Sequence, residues 1–325
     1  MKHGAKVSFI IPVFNEEHHL PGCLNSISAQ TYPHDRIEVV VADGGSADRT
    51  LELAEKWASE QSILMKRVDN PRRIAEFGKA EALKVSDGDF IVLLDADNRL
   101  CDPDWLSKAL RAFDLFPDMF GFESCYLPVP NGTALNHYLT VCLHISDPLA
   151  WGAATHPVEI ELKEDCGMRY RKYRIPPGYP CGANGFVYRR SVIEPYIGLE
   201  TFEEAVVPMD IAVRSDAFIA AADGVGVQHY YVGSIRDFLR KRAKIALKSH
   251  TRQQERKTWI AYTGGRMIWA GLLQITFVWP FIYSLWKTFK TKDRCWLLHA
   301  PVCFLTSTVY FLHWVRIKLR KEKAW

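Results

Sequence analysis

The chain has 325 residues, of which 48% are hydrophobic and 24% charged, and these values exclude a disordered, collagen-like or small disulfide-stapled protein. Its length predicts about two domains. The eight cysteines are scattered, without a Cys-x-x-Cys pair, which favours reduced thiols in a cytosolic domain. The N-terminal apolar run is short and broken by Pro12, so the sequence predicts no secretory signal there.

Charge divides the chain into an acidic body and a basic tail. Residues 1–233 carry 22 basic and 33 acidic side chains, a net charge of −11, whereas residues 234–325 carry 19 and 4, a net charge of +15. Seven of the ten tryptophans also lie in the tail. Because Trp concentrates at the lipid–water interface and Lys and Arg on the cytoplasmic side of membranes, this composition favours a membrane partner over nucleic acid.

Residues 7–94 alternate β-rich runs with helical patterns. In chain order the predicted elements are Val7–Val13 (strand), Glu17–Ala29 (helix), Ile37–Ala42 (strand), Arg49–Ser59 (helix), Ile63–Val68 (strand), Ile74–Val85 (helix) and Phe90–Leu94 (strand). This order predicts an α/β fold with a mostly parallel sheet. Runs such as Ile91–Leu94 are continuously apolar, which is typical of central strands covered by helices on both faces.

The rest of the chain divides into three predicted regions. Residues 100–233 carry many Pro and Gly interruptions and are interpreted as the variable half of one domain over residues 1–233. Residues 234–262 are predicted to form a basic amphipathic helix and linker at an anionic lipid surface. A solvated surface helix that packs on the domain is the alternative.

Residues 263–325 are predicted to form a two-helix membrane hairpin with a basic C-terminal tail. The segments Met267–Trp286 and Cys295–Val315 carry no formal charge and approach the roughly 20 residues that span a bilayer core. Polar or helix-breaking residues in both segments leave a re-entrant or interfacial hairpin open. The distribution of Lys and Arg favours both ends in the cytoplasm.

Polar residues follow three of the predicted strands, at the edge where open α/β sheets bind ligands. Asp95 and Asp97 project to the same side after a buried strand, and such a pair suits Mg²⁺ or Mn²⁺ carrying a diphosphate. Asp43 can accept a hydrogen bond from a base or ribose, and the following Gly44-Gly45 lets a ligand approach the backbone. Each pattern alone also suits a helix cap or a turn without a ligand.

Four segments in this order and spacing resemble glycosyltransferases of family 2, which have the GT-A fold. The segments are Val7–Glu17, Glu38–Thr50, Gly78–Ala80 and Gly88–Asn98. The resemblance covers residues 5–110 closely and extends more weakly from Gly185 to Arg214. It implies an inverting enzyme that takes a sugar from a nucleoside diphosphate donor and uses a divalent metal.

The resemblance also implies roles for individual residues. Those that would bind the nucleotide sugar are Pro12, Asn15, Glu16, Asp43, Lys79 and Asp95. Asp97, together with Asp95, would bind the metal, which with Lys79 would neutralise charge on the departing diphosphate. The histidines, among them His229, fall at no ligand spacing and are interpreted as structural.

A hydroxyl acceptor would need a general base. The resemblance places this base in the segment Val207–Arg214, where Asp210 fits but Met209 replaces the Glu that the family carries before it. Glu203 and Glu204 are nearby substitutes, and a structural, salt-bridged role is the other interpretation of Asp210. A lipid phosphate is already ionised near neutral pH and would need little help from a base.

Two further regions are assigned to the acceptor. The segment Tyr179–Arg190 resembles the family's glycine-rich acceptor-side segment, with Asn184 and Gly185 as the candidate contacts and an ordinary Gly-rich turn as the alternative. In the tail, Arg240 and Arg242 would steer an anionic lipid head group or serve only to hold the membrane surface.

We therefore predict a membrane-attached inverting glycosyltransferase with its catalytic domain on the cytoplasmic face. Its acceptor would be lipid-linked or a polysaccharide, in the synthesis of cell-envelope polysaccharide or glycolipid. Three alternatives stay open: a nucleotidyltransferase, a glycosyltransferase with a soluble acceptor, and a catalytically inactive subunit that binds a sugar nucleotide. The sequence leaves open which nucleotide sugar and which acceptor are used, and the oligomeric state.

Overall fold

The computed structural model describes residues 4–144, 146–251 and 266–322, and the chain divides into two units. The first unit contains the residues up to Leu127 together with His156–His229. The second contains Pro128–Thr155 and the residues from Tyr230 onward. Residues 128–155, which lie inside the predicted 1–233 domain, therefore pack with the C-terminal part of the chain.

Twelve strands in the described residues form two sheets, both in the first unit. The strands are β1 (Val7–Val13), β2 (Ile37–Asp43), β3 (Leu64–Asp69), β4 (Phe90–Leu93), β5 (Asn98–Leu100), β6 (Gly121–Phe122), β7 (Cys125–Leu127), β8 (Val158–Asp165), β9 (Met168–Arg174), β10 (Phe186–Arg189), β11 (Phe218–Ala222) and β12 (Gly226–His229). The larger sheet has the order β3-β2-β1-β4-β10-β6-β11-β9-β8, and the smaller has the order β5-β12-β7.

The helices of the described residues belong to both units. They are α1 (Leu20–Ser28), α2 (Thr50–Glu60), α3 (Ala75–Val85), α4 (Trp105–Leu115), α5 (Ala134–His137), α6 (Pro148–Ala153), α7 (Arg190–Ile193), α8 (Val207–Arg214), α9 (Ile235–Thr251), α10 (Arg266–Ile275), α11 (Val278–Thr291) and α12 (His299–Glu322). The seven elements predicted within residues 7–94 are confirmed. The predicted α/β architecture is confirmed as a large sheet flanked by helices. The prediction of a mostly parallel sheet is wrong, because strands β10, β9 and β8 pair antiparallel with their neighbours and make the sheet mixed.

The central strands are buried on both faces. In β1 the rings and methyl groups of Phe9 and Ile11 pack into one apolar cluster, while Ile10 packs into a second cluster on the opposite face. Successive side chains of a strand point to opposite faces, so a continuous apolar run fills both clusters. β1 lies parallel between β2 and β4, as the run of buried residues predicts.

Strands β1, β2, β3 and β4 are parallel, so their carboxyl ends lie along one edge of the sheet. The register pairs Val13 at the end of β1 with Asp43 at the end of β2, and Asp43 with Asp69 at the end of β3. Beyond β4, strand β10 runs antiparallel and brings the residues before Phe186 to the same edge. The loops that carry the predicted site residues therefore begin side by side.

The second unit has its own apolar core. Its buried members come from the 128–155 segment, from α9 and the residues just before it, and from the C-terminal region: Tyr138, Leu139, Leu143, Val232, Phe238, Trp296 and Val302. A helix within the predicted region 234–262 is confirmed as α9, over Ile235–Thr251, and residues 252–262 lie outside the described part of the chain. The placement of this helix at a lipid surface stays a prediction. Phe238 on this helix is buried, whereas Ile235 and Ile245 are exposed.

The segment Met267–Trp286 does not form one continuous helix. Helix α10 ends at Ile275 and α11 begins at Val278, with Phe277 between them at φ 60°. The physical reason lies at Pro280, which lacks the N–H that a continuous helix would direct at the carbonyl of Thr276.

One helical run in the described residues, Arg294–Arg316, is long and apolar enough to cross a membrane by length and composition. It has a mean hydropathy of 1.5, and 39% of its most apolar window is buried within the protein. A core helix of a soluble protein passes the same test. The predicted membrane hairpin is therefore not confirmed.

The burial of β1 predicts that shortening one of its side chains lowers the thermal stability more than shortening an exposed side chain does. Ile10→Ala would remove a side chain that is fully buried, and we expect the midpoint of thermal unfolding to fall by roughly 5–15 °C. The matched control is Leu64→Ala on the edge strand β3, where the side chain is 52% exposed and the midpoint should change little. Circular dichroism of the full chain in detergent measures both. Equal losses in the two variants would contradict the assignment of Ile10 to the core.

Candidate active site

The loops after β1 and β2 are joined by side-chain hydrogen bonds. The main-chain N–H of Asn15 donates to Ser46 Oγ (3.0 Å), and Asn15 Oδ1 accepts from the N–H of Ala47 (2.8 Å). Asp43 is buried, and its Oδ1 accepts from Ser46 Oγ at 2.7 Å. Asn15 and Asp43, which the sequence analysis assigned to the donor, therefore stand on adjoining loops of one rigid edge.

Pro12 and Glu16 hold the backbone of the same edge. Pro12 lies in β1 opposite Ala42 of β2. The N–H of Glu16 donates to Thr50 Oγ1 (2.7 Å), and its carbonyl accepts from the N–H of Leu20 at the start of α1. The loop after β1 is thus fixed to the start of two helices, α1 and α2.

Arg73 adds a cation to this edge that the sequence analysis did not select. Its Nε donates to the carbonyl of Gly44 (3.0 Å), and its guanidinium lies 4.9 Å from the centre of the Phe14 ring. Arg73 and Phe14 are both exposed, so this stacked pair is accessible to a ligand. The feature of the sequence that could have identified Arg73 as a site residue is its position, in the loop that follows β3.

Lys79 on α3 is buried and is held by two carboxylates, and we call Lys79, Asp95 and Glu204 the Lys79 cluster. Its Nζ lies 3.1 Å from Asp95 Oδ1 and also donates to Glu204 Oε2. Burial alone would lower the pKa of Lys79, but the carboxylates of Asp95 and Glu204 outweigh it and raise the pKa above its ordinary value. Lys79 is therefore charged in this site.

Asp97 faces an imidazole. His229 Nε2, at the end of β12, lies 3.4 Å from Asp97 Oδ1, and Asn98 Nδ2 donates to the same oxygen (3.0 Å). The sequence analysis interpreted His229 as structural because its spacing gave no signal. The pairing of β12 with β5, which begins at Asn98, brings it to Asp97.

The donor set at Asp97 fits a divalent cation. A carboxylate oxygen and an imidazole nitrogen 3.4 Å apart are close enough to share one ion, and both are ligands of Mn²⁺-type metals. Asp95 differs, since one oxygen of its carboxylate is directed at Lys79. The residues that could hold a metal here are therefore Asp97 and His229, with Asp95 next to them in the chain.

The glycine-rich segment before β10 reaches this edge through Asn184. Asn184 is buried at φ 31°; its Oδ1 accepts from Asn98 Nδ2 (3.0 Å), and its Nδ2 donates to the hydroxyl of Tyr126 (3.3 Å). Gly185 has φ 79°, and a Cβ there would lie 2.7 Å from the Val227 side chain, so only glycine fits. The structure thus brings Asn184 to the metal-binding candidates.

A second carboxyl group, Glu123, was not selected from the sequence. It follows β6, and its Oε2 accepts from the hydroxyl of Tyr179 (2.9 Å), the first residue of the glycine-rich segment. Burial raises the pKa of Glu123 to about 7, against the opposing effect of the Tyr179 hydrogen bond.

Tyr126 lies within electrostatic range of Glu123 and of the Lys79 cluster. Burial raises the pKa of Tyr126, the hydrogen bond from Asn184 lowers it, and the charges of Glu204, Glu123 and Asp95 raise it further.

Asp210 has different partners. The hydroxyl of Tyr196 donates to its Oδ2 (2.6 Å), and Nε of Arg214, one turn along α8, donates to its Oδ1 (3.0 Å). Met209 beside it is buried. Glu204, one of the substitutes named for the base, is instead part of the Lys79 cluster. The assignment of Asp210 as the base stays a prediction.

The two arginines assigned to the acceptor belong to the second unit. Arg240 is exposed on α9 and pairs with Asp237 (3.1 Å). Arg242 is buried; its NH1 donates to Asp147 Oδ2 (2.7 Å), and its NH2 donates to the hydroxyl of Tyr231. Arg240 therefore offers a surface cation, whereas Arg242 has an internal partner. Their acceptor role stays a prediction.

Comparison with known proteins gives matches to a family model and to individual proteins. Residues 8–123 match the family model described as glycosyl transferase family 2. Glycosyltransferase AglE of Haloferax volcanii is 30% identical over 135 residues, which cover 41% of this chain and 43% of that protein. A dolichyl N-acetyl-α-D-glucosaminyl phosphate 3-β-D-2,3-diacetamido-2,3-dideoxy-β-D-glucuronosyltransferase of Methanococcus voltae is 32% identical over 91 residues, which cover 28% of each. The matched part of the chain thus spans less than half of either relative.

A solved structure extends the likeness of the fold. The mannosyltransferase PcManGT from Pyrobaculum calidifontis, in complex with GDP-Man and Mn²⁺, matches with a TM-score of 0.56 and 16% sequence identity. The match covers 95% of this chain and 88% of that one. At this level of identity the likeness establishes the fold alone.

The Lys79 cluster predicts a large loss of stability when its cation is removed. Lys79→Met would leave two carboxylates without their counter-charge, and we expect the free energy of unfolding of the first unit to fall by about 3–5 kcal/mol. Lys84→Met, on the same helix at a partly exposed ion pair with Glu81, is the control and should cost less than about 1 kcal/mol.

Native-state hydrogen exchange of peptides from β1 and β4, followed by mass spectrometry, measures these changes in the full chain. Similar protection in the Lys79→Met and Lys84→Met variants would contradict a buried, charge-paired lysine.

Proposed function

Because the chain belongs to glycosyltransferase family 2, we propose that it transfers a sugar from a nucleoside diphosphate donor to a lipid-linked or polysaccharide acceptor. The observation that carries the proposal is the edge of the sheet where Asp97 and His229 face each other beside the Lys79 cluster. A carboxylate–imidazole pair next to a buried, charged lysine suits the binding and departure of a diphosphate.

The donor would lie across the loops after β1 and β2. Asn15 and Asp43 would contact the nucleoside, and Asp43 is a buried acceptor fixed by Ser46. Arg73 supplies a cation at the same edge, over the ring of Phe14. We propose that these groups bind and orient the nucleotide, which leaves the diphosphate to point toward Asp97.

Asp97 and His229 would hold a divalent cation, Mg²⁺ or Mn²⁺, which when bound neutralises charge on the diphosphate. Support comes from the PcManGT structure, which contains Mn²⁺ with GDP-Man. The chain itself contributes Lys79, whose ammonium holds the Asp95 carboxylate in place and adds positive charge behind it. Asn98 orients the Asp97 carboxylate through a hydrogen bond, and Asn184 accepts a hydrogen bond from the same Asn98 amide.

An inverting transfer needs an acceptor group that attacks the sugar carbon from the face opposite the departing diphosphate. We propose Glu123 as the residue that accepts the proton of a hydroxyl acceptor, because its carboxyl group is balanced near neutral pH and contacts the glycine-rich segment. Glu204 is less suited, since Lys79 engages its carboxylate, and Asp210 is held by Arg214.

A lipid-linked acceptor has separate support. The printed name of the Methanococcus relative describes transfer to a dolichyl-linked sugar phosphate. This chain adds a basic tail and an apolar helical run, Arg294–Arg316. We propose on these grounds that the protein is attached to a membrane with its catalytic unit on the cytoplasmic face, where nucleotide sugars are supplied.

The first experiment is an assay of the full chain in detergent with a panel of UDP- and GDP-linked sugars. Each donor is tested with Mn²⁺ or EDTA, and with polyprenyl phosphate, a hydroxyl-bearing glycan or no acceptor. Metal-dependent release of one nucleoside diphosphate that the acceptor stimulates would support the proposal and distinguish the two acceptor types. Metal-dependent nucleotide binding without turnover of any donor would favour the inactive binding subunit instead.

The metal assignment predicts a loss of activity from Asp97→Asn. We expect kcat/KM for transfer to fall at least about 100-fold, because the carboxylate that shares the cation is gone. His229→Ala should raise the Mn²⁺ concentration needed for half-maximal activity roughly tenfold or more. The matched control is Asp69→Asn at the end of β3. The Asp69 side chain is 87% exposed, and this variant should keep the wild-type activity. Full activity of Asp97→Asn at saturating Mn²⁺ would refute the assignment.

The assignment of Glu123 predicts a pH profile. Its ionised form accepts the proton, so transfer to a hydroxyl acceptor should rise with pH through about 7 and level off above it. Glu123→Gln should lower kcat by about 10²- to 10⁴-fold and remove this inflection, with little effect on transfer to a lipid phosphate. Glu60→Gln, at an exposed position of α2, is the control.

The same assay on Glu204→Gln and Asp210→Asn compares the three candidates for the base. An unchanged pH profile in Glu123→Gln, with the inflection lost in Asp210→Asn, would move the assignment to Asp210.

A further inference from the structure

The second unit contains a cluster of nitrogen, oxygen and sulfur ligands, which we call the His137 cluster: His137, Cys142, Asp293 and Cys295. His137 Nε2 lies 2.7 Å from Asp293 Oδ2, and ligand atoms of His137, Asp293 and Cys295 all lie within 4.8 Å of one another. Cys142 Sγ donates to the same Asp293 oxygen at 3.5 Å. All four residues lie in the described part of the chain, and neither thiol forms a disulfide.

Two distant segments position these side chains. His137 ends α5, whose start is capped by Thr133, and Cys142 lies on the helical turn that follows. On the other side, Asp293 caps the 3₁₀ turn Arg294–Leu298 through the N–H of Cys295, which binds its Oδ1 (2.8 Å). This cap directs the other oxygen, Oδ2, toward His137 and Cys142. The arrangement is therefore fixed by backbone structure on both sides.

We propose that the His137 cluster binds a thiophilic divalent cation of the zinc class. One imidazole, one carboxylate and two thiols make a four-ligand set that suits tetrahedral Zn²⁺, whereas Mg²⁺ prefers oxygen ligands alone. The set is chemically unlike the pair Asp97 and His229, which offers no sulfur. The proposal is independent of the proposed function, because it concerns a structural ion and not the transfer reaction.

The distances are compatible with closure around one ion. Zn–N, Zn–O and Zn–S bonds of about 2.0–2.3 Å place tetrahedral ligands roughly 3.3–3.8 Å apart. The 2.7 Å contact of His137 with Asp293, now a hydrogen bond, would lengthen by less than about 1 Å. The 4.8 Å limit that holds for His137, Asp293 and Cys295 would shorten by about the same amount, and Cys142 Sγ already lies 3.5 Å from Asp293 Oδ2. The side chains of His137 and Asp293 are 26% and 29% exposed, which leaves an entry path for the ion.

The ligand set also accounts for the protons. A metal bound at the His137 cluster would replace the thiol protons of Cys142 and Cys295, which would be released to solvent, while His137 and Asp293 would each offer an atom that now takes part in their mutual hydrogen bond.

The ion would join the 128–155 segment to the C-terminal helices. His137 and Cys142 come before β8 in the chain, whereas Asp293 and Cys295 precede α12. A site with four protein ligands and no open position is typical of a structural metal, so we expect the ion to stabilise the second unit.

The test measures metal in the wild-type protein directly. The full chain is purified in detergent with a reductant, equilibrated with Zn²⁺ and dialysed, and its zinc content is measured by mass spectrometry. We expect about one tightly held zinc per chain. Cobalt substitution should give thiolate-to-cobalt charge-transfer absorption and the d–d bands of a tetrahedral site. Less than about a tenth of an equivalent of zinc, or a cobalt spectrum without thiolate bands, would overturn the proposal.

Variants locate the ion. Cys295→Ser and His137→Gln should each weaken zinc binding at least tenfold, whereas Cys166→Ser, at an exposed cysteine in the turn between β8 and β9, should bind as wild type does. Asp97→Asn should also keep its zinc, which separates this site from the metal of the proposed reaction. Zinc retained at wild-type affinity in Cys295→Ser would overturn the assignment, and the spectrum of the wild-type protein decides the matter if a variant does not fold.

Discussion

The first unit depends on one buried charge. Lys79 is 1% exposed, and an ammonium group in such a place is stable only with carboxylates around it. Its two partners come from different parts of the chain: Asp95 follows β4, and Glu204 precedes α8. The Lys79 cluster therefore fixes α3, the end of the central strand and the segment beyond β10 to one point.

The same constraint sets the chemistry of the edge. The Asp95 carboxylate is engaged by Lys79, whereas the Asp97 carboxylate contacts His229 and Asn98. Asp95 is thus paired with an internal cation, whereas Asp97, two residues later, could bind an added one.

The sequence predicted the parallel half of the sheet well because its signal is local. The continuous apolar runs of β1, β2 and β4 identify central strands, and the residues after them lie at the ligand edge by geometry alone. His229 and Glu123 were not predicted as site residues because their positions depend on the pairing of strands that are far apart in the sequence. His229 meets Asp97 only through the pairing of β12 with β5, and Glu123 reaches the site because β6 lies between β10 and β11. No short motif marks either residue.

The helical tail was harder to predict because composition reports apolarity and not continuity. Met267–Trp286 has the length of one span, but Pro280 removes a hydrogen bond to Thr276 and divides it. The position of Arg242 also differs from the prediction. A basic residue in a charge-rich helix suggested a surface cation, yet Asp147 and Tyr231 hold it inside the second unit.

The division of the second unit between two stretches of chain has a consequence for synthesis on the ribosome. Tyr138, Leu139 and Leu143 leave the ribosome long before the residues that cover them, Trp296 and Val302. At translation rates of about 5–20 residues per second, this apolar segment waits roughly 10–30 s for its partners. During that interval a chaperone or a lipid surface would have to shield it. For the same reason, a chain ended after His229 would keep both sheets but expose this segment permanently.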